Sequence, residues 1–140
     1  MEALMTRAAW PQRIALLMQF LRFGLVGVFG FVVDASVVYA TRFWLGLYVA
    51  GLLSFMVAAS ANWALNRVWT FRGQGSGPAH RQWARFMAAN LVGFVLNRGA
   101  YVILIATSPL CADKPVLAVA AGAVAGMFAN FFLARRLVFR

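Results

Sequence analysis

Long apolar runs separated by short arginine-rich segments make up most of this 140-residue chain. A helix needs about 20 mainly apolar residues to cross roughly 30 Å of hydrocarbon. The runs lack the strict alternation of a barrel strand and are therefore interpreted as α-helices. The predicted spans are residues 20–40, 43–65, 86–107 and 116–133. The pattern thus predicts an all-α, polytopic membrane protein with four transmembrane helices.

The composition excludes an ordinary soluble domain. Hydrophobic residues make up 64% of the chain, against about 45–50% in soluble domains, and a chain of this length has too little interior to bury them. The sequence contains no Ser-His-Asp set, phosphate-binding glycine loop, carboxylate pair or metal-ligand cluster. We therefore expect no enzymatic activity, no catalytic residues, no cofactor and no metal site.

The basic residues indicate an orientation in the membrane. Of 13 Lys and Arg residues, ten lie in the N-terminal segment, the central loop and the C-terminal segment. Only Arg42 lies between the first and second spans, and only Lys114 lies between the third and fourth. The positive-inside rule then places both termini and the central loop in the cytoplasm, in a multi-pass protein of the cytoplasmic (inner) membrane. The net charge of +10 is distributed between apolar runs, which favours anionic membrane lipids rather than nucleic acid as partners.

Residues 1–19 precede the predicted transmembrane domain, residues 20–140. The apolar stretch that follows is too long for a signal peptide and is not closed by a cleavage site, so it is interpreted as a retained helix. Two interpretations of residues 1–19 stay open. The segment either lies along the membrane interface, with Trp10, Ile14, Leu17 and Met18 facing lipid, or forms a frayed tail.

The chain contains a tandem repeat. Gln19-Phe-Leu-Arg-Phe23 resembles Gln82-Trp-Ala-Arg-Phe86 at an offset of 63 residues, and residues 61–72 resemble residues 129–140 at an offset of 68. Repeat one is residues 19–72 and repeat two is residues 82–140, each a helical hairpin that starts and ends in the cytoplasm. Such a repeat is parallel, with its axis along the membrane normal.

Small residues recur every fourth position in the second and fourth spans, which allows helix backbones to approach closely in lipid. They are Ala50, Ser54 and Ala58, and at the equivalent positions Ala118, Gly122 and Gly126. The same stripes continue into Asn62, Asn66 and Asn130. An amide in hydrocarbon is costly unless it is hydrogen-bonded, so these side chains either join helices or line a polar groove.

Several short motifs resemble those of the GtrA-like family of small four-helix membrane proteins. They are Arg22-Phe-Gly-Leu-Val-Gly27, Asp34, Asn62-x-x-x-Asn66-Arg-x-Trp-x-Phe71 and the weaker Asn130-x-x-x-Ala-Arg135-x-x-x-Phe139. The second terminal motif departs from the first, with Ala134 at the position of Asn66 and Arg136 at that of Val68.

The resemblance implies translocation of a polyprenyl-phosphate-linked sugar, or of its carrier lipid, in cell-surface polysaccharide biosynthesis. Related four-helix units also occur fused to polyprenyl-phosphate glycosyltransferases. A second role therefore stays open, as membrane anchor or partner of a glycosyltransferase in the same pathway, and so does assembly into a homo-oligomer.

Four arginines occupy equivalent positions at the cytoplasmic rim. Arg22 and Arg85 stand at helix entrances, and Arg67 and Arg135 stand at helix exits. A guanidinium pairs bidentately with phosphate, and a helix N-terminus also attracts anions. We predict that these four residues bind the lipid phosphate. The alternative is that they orient the helices and reach out to lipid head groups.

Asp34 and Arg98 are charged residues inside apolar spans. Such a charge costs roughly 2.5–3.5 kcal/mol on insertion scales, so it usually faces a partner or water. At a rise of about 1.5 Å per residue, both lie at similar depth, about 18–20 Å beyond Arg22 and Arg85. We predict an ion pair that locks the structure. The pair could instead open during transport, or Asp34 could carry a proton.

A small multidrug exporter is an alternative of a different class, since such a protein has four helices and one membrane acid. Export of a cation would depend on Asp34, whereas movement of a carrier lipid would depend on the rim arginines. The charge bias and the parallel repeat argue against the exporter.

Labelling should reveal the orientation. In a Cys111→Ser background, single cysteines at positions 5, 75 and 112 are treated with a membrane-impermeant maleimide applied from outside the cell. Only position 112 should react, because only the loop that joins the two spans of each repeat is expected outside. External labelling at position 75 would contradict the parallel repeat.

The ion pair has its own test. Asp34→Asn strands one charge and Arg98→Ala the other, so each should lower the unfolding temperature in detergent. The double variant should lose less than the sum of the two single losses, because no unpaired charge remains. Simple additivity would mean that the two residues are not partners.

Overall fold

The computed structural model describes the backbone of residues 2–140 and the side chains of residues 11–140. The described chain is helical, with no strand, which confirms the all-α prediction. The helices are α1 (Glu2–Leu65), α2 (Ala79–Thr107), α3 (Pro109–Asp113) and α4 (Pro115–Leu133). A five-residue π-helical turn follows α1 at Asn66–Thr70, and another follows α4 at Ala134–Val138.

Three helical stretches are long and apolar enough to cross a membrane, within the part of the chain that was described. They are Pro11–Thr70, Ala79–Thr107 and Pro115–Val138. In their most apolar windows only 17%, 11% and 22% of the residues are buried within the protein. Apolar surface exposed on this scale requires lipid as its solvent. The prediction of a membrane protein with several apolar helices is confirmed.

Helix α1 contains a break at Gly46, where φ is 72° and ψ is 166°. Only glycine adopts these angles without steric cost. The predicted turn at residues 41–42 is therefore wrong, since Arg42 is still helical and the chain breaks four residues later. We call residues 2–45 and 47–65 the two arms of α1. The first arm includes residues 2–19, so the backbone of the predicted N-terminal segment is helical.

The chain divides after Gly73 into two compact units. In the first unit the two arms of α1 pack antiparallel about Gly46. Gly30, sixteen residues before the break, meets Asn62, sixteen residues after it, so closely that a Cβ at Gly30 would lie 2.3 Å from the amide. The rings of Phe23 and Phe71 meet edge to face at 6.3 Å. The first unit is therefore a helical hairpin.

The second unit repeats these contacts at the positions that the sequence repeat makes equivalent. A Cβ at Gly93 would lie 1.8 Å from the amide oxygen of Asn130. The rings of Phe86 and Phe139 meet edge to face at 6.2 Å. Helices α2 and α4 are thus an antiparallel pair that shares these two contacts with the arms of α1.

The short helix α3 lies in the loop between α2 and α4, where repeat two carries five extra residues. The Ser108 hydroxyl accepts a hydrogen bond from the backbone N–H of Cys111 at 3.3 Å, and Pro109 occupies the first helical position. Both features favour the start of a helix. This short helix lies outside the four predicted spans, and the local capping accounts for its formation.

The predicted small-residue stripe packs the second unit. Gly122 and Gly126 are buried, and a Cβ at Gly122 would lie 2.6 Å from the carbonyl oxygen of Asn97. A backbone carbonyl cannot rotate away as a side chain can. The two helices therefore approach this closely only because position 122 lacks a side chain.

Substitution of this glycine tests the packing. Gly122→Ala should lower the free energy of unfolding by about 1–3 kcal/mol, because the added methyl group forces α2 and α4 apart. The matched control is Gly99→Ala in α2, since a Cβ at Gly99 meets nothing within 4 Å. The control should be neutral or slightly stabilising, because alanine favours helix. Thermal unfolding in detergent measures both, and equal midpoints would contradict the close approach.

Candidate functional site

Each unit ends in a π-helical turn, and the two turns lie 68 residues apart. The backbone N–H of Phe71 donates to the carbonyl of Asn66 at 2.8 Å, and that of Phe139 donates to the carbonyl of Ala134 at 2.9 Å. These five-residue hydrogen bonds widen the last turn of the helix. Isolated π turns of this kind occur frequently at functional sites.

The π turns fix the position of an arginine in each unit. The buried rings of Phe71 and Phe139 anchor the chain against the facing helix. Arg72 and Arg140 follow these rings directly and are exposed. A packed ring thus holds the backbone of each arginine at the end of its hairpin.

The first cleft lies at the open end of the first unit, between its first arm and the π turn. It encloses about 300 Å³. It is lined by Ala15, Met18, Gln19, Arg22, Trp69, Thr70 and Arg72. The Arg22 guanidinium lies 5.8 Å from the centre of the Trp69 ring. Because the described lining contains two guanidinium groups and no acid, the cleft suits an anion.

The second cleft lies at the equivalent place in the second unit. It encloses about 330 Å³ and is lined by Arg85, Leu137 and Arg140. The repeat pairs these three residues with Arg22, Trp69 and Arg72 of the first cleft. The Nε atom of Arg140 also donates to the carbonyl of Arg136. A pair of arginines at equivalent repeat positions therefore lines a cleft in each unit.

The structure places two of the four predicted phosphate ligands in clefts, one in each unit. Arg22 and Arg85 each line a cleft, whereas Arg67 and Arg135 lie outside both clefts. The guanidinium of Arg67 lies 5.7 Å from the centre of the Trp63 ring. Arg135 is exposed. Phosphate binding by these four arginines stays a prediction.

Arg72 and Arg140 are cleft residues that the sequence analysis did not select. Arg72 is the last residue of the repeat segment Ala61–Arg72, and Arg140 is the last residue of the equivalent segment Ala129–Arg140. The sequence signal that could have identified them is therefore an arginine at the same position of both repeats. The sequence alone could not rank it above Arg67, because the π turn changes which residues face the first arm.

The three predicted groove asparagines lie beside the clefts rather than in them. Asn62 and Asn130 pack against Gly30 and Gly93, so they stand between paired helices. Asn66 is only 1% exposed. The buried Oδ1 atom of each has no hydrogen-bond partner among the described residues. The groove role therefore stays a prediction.

Thr70 differs from the other helical hydroxyl residues. The hydroxyls of Ser36, Thr41, Ser60 and Thr107 each donate to the carbonyl four residues earlier at 2.7 Å. Thr70 is 3% exposed, lines the first cleft, and its Oγ1 has no hydrogen-bond partner among the described residues. The carbonyl four residues earlier, that of Asn66, accepts from Phe71 instead. The Thr70 hydroxyl is thus a buried hydrogen-bonding group, on a residue that lines the cleft, without a partner among the described residues.

The predicted charge pair involves residues of different units, Asp34 in the first and Arg98 in the second. The Arg98 guanidinium lies 5.9 Å from the centre of the Tyr101 ring. Pairing of Arg98 with Asp34 stays a prediction. No group of three or more His, Cys, Asp or Glu side chains is placed to hold a metal ion within the described part of the chain.

Comparison with known proteins supports the resemblance seen in the motifs. A family model described as "GtrA/DPMS, transmembrane domain" matches residues 22–139, or 118 of the 140 residues. No curated protein matches the chain. The matched region includes residues 22–45 of the first arm, the whole second arm, both π turns and the arginines Arg22, Arg72 and Arg85. The protein therefore belongs to the GtrA/DPMS transmembrane-domain family.

Proposed function

We propose that the protein moves a polyprenyl-phosphate-linked sugar, or its carrier lipid, across the cytoplasmic membrane in cell-surface polysaccharide biosynthesis. The observation that carries the proposal is the recurrence of one basic cleft at equivalent positions of the two units. Membership of the family supports a membrane function related to polyprenyl-phosphate sugars. The clefts indicate where the charged part of such a lipid would bind.

The surroundings of the first cleft match both parts of this amphiphile. Arg22 and Arg72 offer charge-assisted hydrogen bonds to phosphate oxygens, each worth about 1.5–3 kcal/mol. On the same arm as Arg22, Leu21, Leu25 and Val28 are exposed apolar side chains. A polyprenyl tail lying along these residues would keep its phosphate at the cleft.

The proposal includes the orientation derived from the charges. The arms of α1 would cross the membrane separately, giving four spans, and both termini would be cytoplasmic. Both clefts belong to the arginine-rich ends of the hairpins, so the lipid would be taken up from the cytoplasmic leaflet. The described residues that line the clefts supply hydrogen-bond donors and include no carboxylate or histidine to act as a general base. We therefore propose binding and movement without bond cleavage.

A second role, as membrane anchor or partner of a polyprenyl-phosphate glycosyltransferase, also has a specific observation in its favour. The description of the matched family joins GtrA and DPMS proteins through one transmembrane domain. In that role the clefts would hold the carrier lipid for the enzyme. Movement of lipid in vesicles that contain only this protein would distinguish translocation from anchoring.

The translocation role is tested in proteoliposomes with a fluorescent polyprenyl-phosphate sugar and a membrane-impermeant quencher. Wild-type protein should make lipid of the inner leaflet accessible to the quencher. Arg22→Gln should slow this exchange and weaken binding roughly 10- to 150-fold, because a charge-assisted contact is lost. Arg22→Lys should lose less, since it keeps the charge without the planar fork.

Arg67→Gln and Arg13→Gln separate binding from general charge. Arg13 lies on the same arm as Arg22 but does not line the cleft, so its loss should leave binding and exchange unchanged. Arg67→Gln tests whether a rim arginine outside the cleft contributes. Wild-type exchange equal to that of protein-free vesicles would refute translocation. Unchanged lipid binding in all Arg22 and Arg67 variants would refute the phosphate site.

A further inference from the structure

The two π turns have the same backbone and buried positions but different chemistry. The first turn carries Asn66, Trp69 and Thr70 where the second carries Ala134, Leu137 and Val138. Thr70 is 3% exposed and Val138 is 2% exposed. An apolar side chain therefore fills the same buried place in the second unit, and the packing does not require a hydroxyl.

The hydroxyl of Thr70 is costly where it stands. A buried donor without a partner costs about 1–3 kcal/mol. Valine has nearly the same shape and would avoid this cost, as the equivalent Val138 does. Because Thr70 lines the first cleft beside Arg22 and Arg72, its hydroxyl is placed to bond an anion that those arginines attract.

The arginines of the two clefts also differ in how they are held. Arg22 lies over the Trp69 ring, which limits the positions of its guanidinium. In the second cleft Leu137 replaces this ring, and the Nε atom of Arg140 donates to the carbonyl of Arg136. One donor of Arg140 is therefore already used by the backbone of its own turn, whereas the Trp69 ring orients Arg22 without using a donor. A donor that is oriented before binding raises affinity.

We infer that the two clefts are unequal, and that the first is the specific phosphate site of the protein. Its donors are Arg22, Arg72 and the Thr70 hydroxyl. The second cleft, with Arg85 and Arg140 alone, binds anionic head groups loosely. The inference rests on the proposed function and adds to it that one chain holds a single carrier phosphate tightly.

The test compares equivalent substitutions in the two clefts of the purified full chain in detergent. Farnesyl phosphate is the probe, and native mass spectrometry gives its stoichiometry and affinity. Wild-type protein should bind one molecule tightly. Thr70→Val should weaken this binding about tenfold, equivalent to roughly 1.4 kcal/mol, whereas Thr70→Ser should retain it.

The matched controls are in the second unit. Val138→Ala removes an apolar side chain at the equivalent position and should leave affinity unchanged. Arg72→Gln should weaken binding far more than Arg140→Gln. Thr70→Val should unfold at the wild-type temperature or above it, because valine fits the equivalent place in the second unit. That readout separates a binding role of the hydroxyl from a structural one.

Two further ligands identify what is recognised. Inorganic phosphate tests the head group alone, and phosphatidylglycerol tests an ordinary anionic lipid. Competition by inorganic phosphate that Thr70→Val weakens would assign the hydroxyl to the phosphate itself. If inorganic phosphate does not compete but farnesyl phosphate binding still depends on Thr70, the cleft recognises the lipid-borne phosphate.

The outcomes separate failure of the inference from failure of the proposed function. Two equally tight sites, unchanged affinity of Thr70→Val, or equal losses in Arg72→Gln and Arg140→Gln would overturn the inequality of the clefts. If farnesyl phosphate still outcompetes phosphatidylglycerol, the carrier role would stand. If phosphatidylglycerol binds equally well, the carrier role fails, while a larger loss in Arg72→Gln than in Arg140→Gln would still support unequal clefts.

Discussion

The close approach of paired helices is the constraint on which the rest of the structure depends. Helices in lipid gain little from the hydrophobic effect when they associate, because lipid tails are as apolar as the side chains. Close packing between the helices must therefore hold each hairpin together. The amides of Asn62 and Asn130 pack against Gly30 and Gly93, and the backbone carbonyl of Asn97 packs against Gly122. A side chain at Gly122 would force α2 and α4 apart, whereas one at Gly30 or Gly93 would require the facing amide to move.

The π turns convert this packing into a basic surface. In a regular α-helix each backbone N–H bonds the carbonyl four residues earlier. The longer hydrogen bond of the π turn instead lets Phe71 and Phe139 pack into the hairpin, and it leaves Arg72 and Arg140 at the mouths of the clefts. The anchoring rings and the arginines are consecutive in sequence, so packing and charge are coupled.

Duplication gives the protein an internal comparison. Positions with the same residue type in both units, such as Phe23 and Phe86, serve packing that each hairpin needs. Positions that differ while remaining equally buried, such as Thr70 and Val138, are free of that requirement. The packing of the hairpin therefore does not require the hydroxyl of the first π turn, which leaves that group to the proposed phosphate site.

The sequence by itself determined the all-α membrane class and the family, and it selected Arg22 and Arg85 as equivalent arginines at helix entrances. It could do so because apolar run length, charge placement and repeated motifs are local properties of the chain. It also located α4 to within one residue. The tertiary structure alone decided the turn at Gly46. Several neighbouring residues could have ended the first span, and the positive φ of Gly46 shows that the helix breaks there. It likewise decided that Arg72 and Arg140, rather than Arg67 and Arg135, line the clefts. A π turn rotates the residues that follow it relative to a regular α-helix. Residue spacing interpreted with the period of a regular helix does not reveal that rotation.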